Sequence, residues 1–163
     1  MLAEKYQERI EKIFAKYPDK RSAIMPLLYV AQEAYGWISP EAINEVAALC
    51  QIDPTQVKSI AGFYTMFRET PKGKYWLQVC NDLPCALRGA DQFYQELLDY
   101  LGIKDGETTA DGVFTVEHVM CLAACDKAPM LQCNFHFHEN LTMETMKALI
   151  EQWRAEAKAA QGK

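Results

Sequence analysis

The chain has 163 residues, 50% of them hydrophobic, with 17 Lys and Arg against 22 Asp and Glu, a net charge of −5. Such a chain builds one core, or a compact domain with a helical extension, and is no disordered tail. The acidic balance and the lack of a basic stripe argue against nucleic-acid binding. The longest apolar stretch, Ala23 to Ala31, is interrupted by Pro26 and falls well short of the ~20 residues that a spanning helix needs, so no direct membrane insertion is expected. The opening M-L-A-E-K-Y-Q-E-R has no apolar signal-peptide core, and its glutamates do not suit a transit peptide. A cytoplasmic, mature polypeptide is expected.

Residues 4 to 17 put Tyr6, Ile10, Ile13, Phe14 and Tyr17 at helical spacing, and Pro18 stops the run. A second helix is predicted from about Ser22, burying Ile24, Leu27, Leu28, Ala31 and Tyr35, with Pro26 in its first turn and Gly36 at its end. Ser39-Pro40 opens a third, with Ile43, Val46, Ala47 and Cys50 on one face. Asp53-Pro54 opens a fourth, with Gln56 placed as in a capping box. Residues 1 to about 67 therefore read as helical. The charged R-E-T-P-K-G at 68 to 73 reads as a linker and sets a domain boundary near 70, giving a helical domain at 1–70 and a second domain at 71–163.

Beyond it, Lys74 to Val79 is strand-like and runs into C-N-D-L-P-C, which holds Cys80 and Cys85. A helix follows from about Gly89 to Leu101, closed by Gly102. Val113 to Val119 alternates like a strand and leads into C-L-A-A-C, which holds Cys121 and Cys125. A right-handed crossover makes the two strands parallel and brings both cysteine loops to one sheet end. Met130 to Asn134 and Phe137 to Leu141 read as a strand pair, with N-F-H a poor hairpin turn between them. Thr142 caps a last helix that turns Met143, Met146, Leu149, Ile150 and Trp153 inward. The fold class is α+β, with the order β-α-β-β-β-α from residue 74.

In a reducing compartment six cysteines signal metal or redox chemistry rather than disulfides. Four thiolates in two close pairs complete a tetrahedral sulfur shell for one zinc ion or for an iron-sulfur cluster. A 2Fe-2S cluster takes two terminal thiolates per iron, which suits two pairs from two loops. Spacing alone leaves zinc and the cluster both open. Cys50 on a helix stripe and Cys133 in a strand read as buried thiols, and His118, His136 and His138 receive no role. Arg88 and Lys127, just beyond the loops, either favour a reduced cluster by their charge or are solvated surface groups. The eight glycines form neither a dinucleotide fingerprint nor a P-loop, so no nicotinamide, flavin or nucleotide site of those types is expected on this chain. No C-x-x-C redox motif or nucleophile with its base is evident, which favours an electron carrier over a catalyst.

I-A-G-F-Y-T-M-F at 60–67, K-Y-W-L-Q-V-C-N-D-L-P-C at 74–85, D-G-V-F-T-V at 111–116 and C-L-A-A-C-D-K-A-P at 121–129 carry a resemblance to a known family. These stretches resemble the small thioredoxin-like 2Fe-2S subunit in the NADH dehydrogenase module of respiratory complex I, whose relatives serve NAD-linked hydrogenases and formate dehydrogenases. The resemblance implies a helical N-terminal bundle followed by a thioredoxin-like 2Fe-2S ferredoxin domain. It implies one 2Fe-2S cluster, with Cys80 and Cys85 on one iron and Cys121 and Cys125 on the other. FMN and NADH are expected on a flavoprotein partner, and further peripheral-arm subunits complete the complex on the cytoplasmic face of the bacterial inner membrane. Ala123 stands where the family usually has Gly. A zinc-stabilised interaction module is the reading from another class.

Overall fold

The structure is a computed structural model that describes residues 1–161. Contacts divide the chain into two units, Met1–Pro71 and a second that begins at Lys72.

The first unit is all helix. Its elements are α1 (Leu2–Lys5), α2 (Gln7–Phe14), a 3-10 turn (Lys20–Ala23), α3 (Ile24–Tyr35), α4 (Pro40–Cys50) and α5 (Pro54–Phe63). The starts follow from local chemistry: the Ala42 N–H donates to Ser39 Oγ at 3.1 Å, and the Thr55 N–H to Asp53 Oδ1 at 2.8 Å. Asp53 bonds Thr55 rather than sharing a reciprocal box with Gln56. One expected helix over 4–17 is instead two, because Tyr6 leaves the helical region at φ −124°. A tertiary contact accounts for the break: Leu2 is buried and its N–H donates to Glu45 Oε2 at 2.6 Å, which draws the first turn toward α4. Ile24, Leu27, Leu28, Val30, Val46 and Val57 form the centre of this core. Tyr35 and Tyr17, expected inside, lie 40% and 39% exposed at its edge. Gln32, buried in α3, donates to the Met66 carbonyl and accepts the Arg68 N–H, so its polar head is satisfied while it fastens the chain after α5.

The second unit contains β1 (Tyr75–Cys80), α6 (Leu83–Ala86), α7 (Ala90–Leu101), β2 (Phe114–Val119), a 3-10 turn (Cys125–Lys127), β3 (Leu131–Cys133), β4 (His136–His138) and α8 (Met143–Gln161). The sheet order is β2-β1-β3-β4, with β1 and β2 parallel and the other neighbours antiparallel. This is the expected α+β order, with one short helix added inside the first cysteine loop. Leu77, Val79, Phe114, Val116 and Leu131 meet Phe93 and Leu97 of α7 and Met146, Ile150 and Trp153 of α8 in one core. Tyr75 stacks on Trp153 at 5.2 Å between ring centroids. The pleat puts Gln78, Gln132 and Glu117 on the other side, where Gln132 donates to Gln78, Gln78 donates to Glu117, and Lys72 pairs with Glu117 at 2.9 Å.

Gly73 has to be glycine, because a Cβ there would stand 2.8 Å from the Phe114 carbonyl carbon. Asn134 and Phe135 take φ of +45° and +73°, so the β3–β4 connection is a two-residue turn with both centres left-handed, the geometry hairpins favour. The second strand of the pair therefore begins at His136 and ends at His138, shorter and earlier than Phe137 to Leu141. The side chain of Asn134 holds the turn by accepting the Trp76 N–H and donating to the Lys74 carbonyl.

Candidate metal centre

Parallel pairing aligns Cys80 with Val119, so the chain leaves β1 and β2 at the same end of the sheet. The first loop turns back at once. Asp82 caps α6 by accepting the Leu83 N–H at 2.9 Å, and the Cys85 N–H donates to the Asp82 carbonyl at 2.8 Å. That turn folds Cys85 under the loop, fully buried. Asp82 followed by Pro84 is the signal that would have announced this helix, offset by one residue from the Ser39-Pro40 and Asp53-Pro54 pattern.

The second loop runs from Met120 through Cys121 and the left-handed Ala123 at φ +59° to the 3-10 turn that begins at Cys125. It is fastened to the first where the Cys80 N–H donates to the Met130 carbonyl and the Asn81 N–H to the Val119 carbonyl, each at 3.3 Å. Cys80, Cys85, Ala90, Ala128 and Met130 make a separate small apolar nest, with Leu122 and Ala124 packed against it.

The four cysteines differ in setting. Cys80 and Cys85 are buried, Cys125 is half-buried and Cys121 is exposed. Burial pushes the Cys85 thiol up to about 12, and the adjoining Cys80 and Cys125 thiols push it the same way. Cys121 Sγ accepts the Ala123 N–H at 3.3 Å. Among the described residues no three His, Cys, Asp or Glu side chains close around one point in metal-ligand geometry. The loops set the Cys80 and Cys125 thiols beside that of Cys85, short of a closed metal-ligand shell, and leave Cys121 exposed. All six cysteines are free thiols. Four cysteine sulfurs lie on two loops at one sheet end, two of them in apolar surroundings and one already accepting a backbone N–H, a chemistry that suits a thiolate-bound iron-sulfur group.

Neighbouring charges are already engaged. Arg88 Nε–H donates to the Ala128 carbonyl at 3.2 Å, and Lys127 Nζ lies 3.7 Å from Asp126. Cys50 and Cys133 are buried within the two main cores, 2% and 5% exposed. His118 on β2 pairs through Nδ1 with Asp105 at 3.0 Å, and His136 and His138 stand on β4. The rim carries large exposed apolar side chains: Leu83, Leu87 and Met120 are 70%, 80% and 75% exposed. The role of Arg88 across the two loops is not visible in the sequence, since its acceptor is a backbone carbonyl 40 residues away.

A four-stranded sheet backed by two helices, with paired cysteine loops at one end, defines a ferredoxin-type α+β domain. The profile of the thioredoxin-like [2Fe-2S] ferredoxin family matches residues 10–154, and the chain belongs to that family. It is 45% identical over 152 residues to NADH-quinone oxidoreductase subunit 2 of Thermus thermophilus, covering 91% of this chain and 84% of that protein. A subunit of the NADH-quinone oxidoreductase of Rhizobium meliloti is 42% identical over 149 residues, covering 91% of this chain and 89% of that protein. Among solved structures, an NAD+-reducing [NiFe]-hydrogenase in its air-oxidised state aligns with a TM-score of 0.70 at 25% identity. That alignment covers 80% of this chain and 23% of the hydrogenase chain.

Proposed function

We propose that the chain is an electron-transfer subunit of NADH-quinone oxidoreductase that carries one 2Fe-2S cluster beside the flavin of an NADH-oxidising partner. Cys80 and Cys85 hold one iron, and Cys121 and Cys125 hold the other. The observation that carries this reading is the gathering of both cysteine pairs at one sheet end, in a chain so similar along its length to subunits of that oxidoreductase. When bound, the cluster supplies a one-electron redox centre.

The chain's own residues hold and shield that centre. Cys80 and Cys85 lie buried in the apolar nest, which shields them from water, while Cys125 is half-buried and Cys121 exposed. The Ala123 N–H stabilises negative charge on Cys121 sulfur, as an N–H near thiolate does. NADH oxidation and FMN belong to the flavoprotein partner, and this chain alone does not turn over NADH. Leu83, Leu87 and Met120 offer that partner apolar surface around the loops. Among the described residues no helix is long and apolar enough to cross a membrane. The chain works on the cytoplasmic face of the membrane, through its partners.

The hydrogenase alignment favours a second host for the same chemistry, a diaphorase module of an NAD-linked hydrogenase. The same residues serve in either, and the copurifying proteins separate the two.

Substitution tests the ligand assignment. Cys80→Ser and Cys121→Ala abolish cluster assembly, whereas Cys50→Ala leaves iron and sulfide at wild-type levels. A normal cluster in Cys80→Ser would refute the assignment.

A further inference from the structure

Cys85 and Cys125 are each the second cysteine of a pair, and each is followed by the same short turn. The Arg88 N–H donates to the Cys85 carbonyl at 3.0 Å, and the Ala128 N–H donates to the Cys125 carbonyl at 3.4 Å. Arg88 and Ala128 thus hold matching positions, three residues beyond their cysteines. The Arg88 side chain joins them, its Nε–H donating to the Ala128 carbonyl at 3.2 Å. The result is a hydrogen-bonded path from the backbone of Cys85, through the Arg88 side chain, to the backbone of Cys125. Ala128 is 4% exposed and packs in the nest with Cys80 and Cys85, so the acceptor end of the path is shielded from competing water.

We propose that Arg88 is a positioning residue that fixes the second cysteine of one loop against the second cysteine of the other, so that both sulfurs stand ready before iron and sulfide enter. The proposal rests on the reading that Cys85 and Cys125 are ligands. An unfastened second loop has to be ordered when the cluster binds, at a cost in affinity; the path through Arg88 meets part of that cost at folding. The work is done by the Nε–H, and the guanidinium charge is secondary.

Two variants of the full chain separate these roles. Arg88→Gln keeps an N–H donor at the same bond distance from the backbone as Arg Nε and removes the charge. Arg88→Met removes both. Three readouts apply: amide hydrogen exchange at Ala128 in the cluster-free chain, iron release from the loaded chain to an excess of chelator, and the EPR spectrum of the reduced chain. In Arg88→Met, Ala128 exchanges faster, iron is released ~tenfold faster, and the EPR lines broaden. In Arg88→Gln all three stay close to wild type. If Arg88→Gln behaves as Arg88→Met does, charge alone is responsible and the proposal fails. It fails equally if Arg88→Met retains wild-type exchange and iron release. Far-UV circular dichroism checks folding, and Arg88→Leu replaces a variant that does not fold. A wild-type chain that takes up no iron would instead defeat the ligand reading, while hydrogen exchange in the cluster-free chain still reports on the path.

Discussion

The Ala123 N–H donates to Cys121 Sγ across 3.3 Å from a backbone held at φ +59°. Left-handed backbone costs an L-residue with a Cβ about 1–2 kcal/mol, and glycine nothing comparable. The strain sits in the loop that carries the exposed cysteine. Ala123→Gly should raise the stability of the cluster-free chain by about 1 kcal/mol, after allowing for the freedom glycine gains when unfolded. Urea unfolding with an unchanged m-value measures it. A loss of stability would mean that the alanine methyl makes a contact worth more than the strain.

Thiol reactivity reads the settings of the six cysteines directly. Burial pushes Cys133 up to about 12 and raises Cys50 as well, so neither offers thiolate near pH 8. Cys121 is exposed. In the cluster-free native chain, iodoacetamide should label Cys121 first and leave Cys50 and Cys133 unmodified until the chain unfolds. Peptide mass spectrometry gives the order, and early labelling of Cys133 would contradict the packing of β3 against α8.

His138 makes the second unit sensitive to mild acid. Its pKa is lowered from 6.5 by burial and by the positive charge of His136, and its ring meets Trp153 edge to face at 5.2 Å. With the folded value below the unfolded one, the unfolded chain binds more protons below about pH 6.5. Stability is therefore full above that pH and falls as the pH drops toward the folded value. The difference in thermal midpoint between wild type and His138→Gln should be smaller at pH 5.5 than at pH 7.5. An equal difference at both would remove His138 from the account.

The helical unit has its own core and carries none of the four cysteines. Deleting residues 1–67 should leave iron content unchanged while weakening capture of the flavoprotein partner. Undiminished capture would assign docking wholly to the second unit.

Much of this was legible in the sequence because it rests on local rules. Ser39 and Asp53 before proline marked two helix starts, and strand-helix-strand with the usual crossover brought both cysteine loops to one sheet end. What escaped depends on partners far along the chain or on backbone that side-chain pattern does not encode. The break at Tyr6 follows from Leu2 reaching Glu45. The turn at Asn134 and Phe135 needs two left-handed residues without glycine, and the side chain of Asn134 secures it by bonds to β1. The link from Arg88 to Ala128 joins a side chain to a carbonyl, and carbonyls are the same at every position.

The most direct test of the central claim is to purify the full chain anaerobically and record its visible absorption and its EPR spectrum after dithionite reduction, with iron, sulfide and zinc analysis of the same sample. The account predicts a coloured protein with about two irons and two sulfides per chain and a signal that appears only on reduction. A colourless chain holding about one zinc ion and no iron would contradict it and leave a zinc-stabilised interaction module.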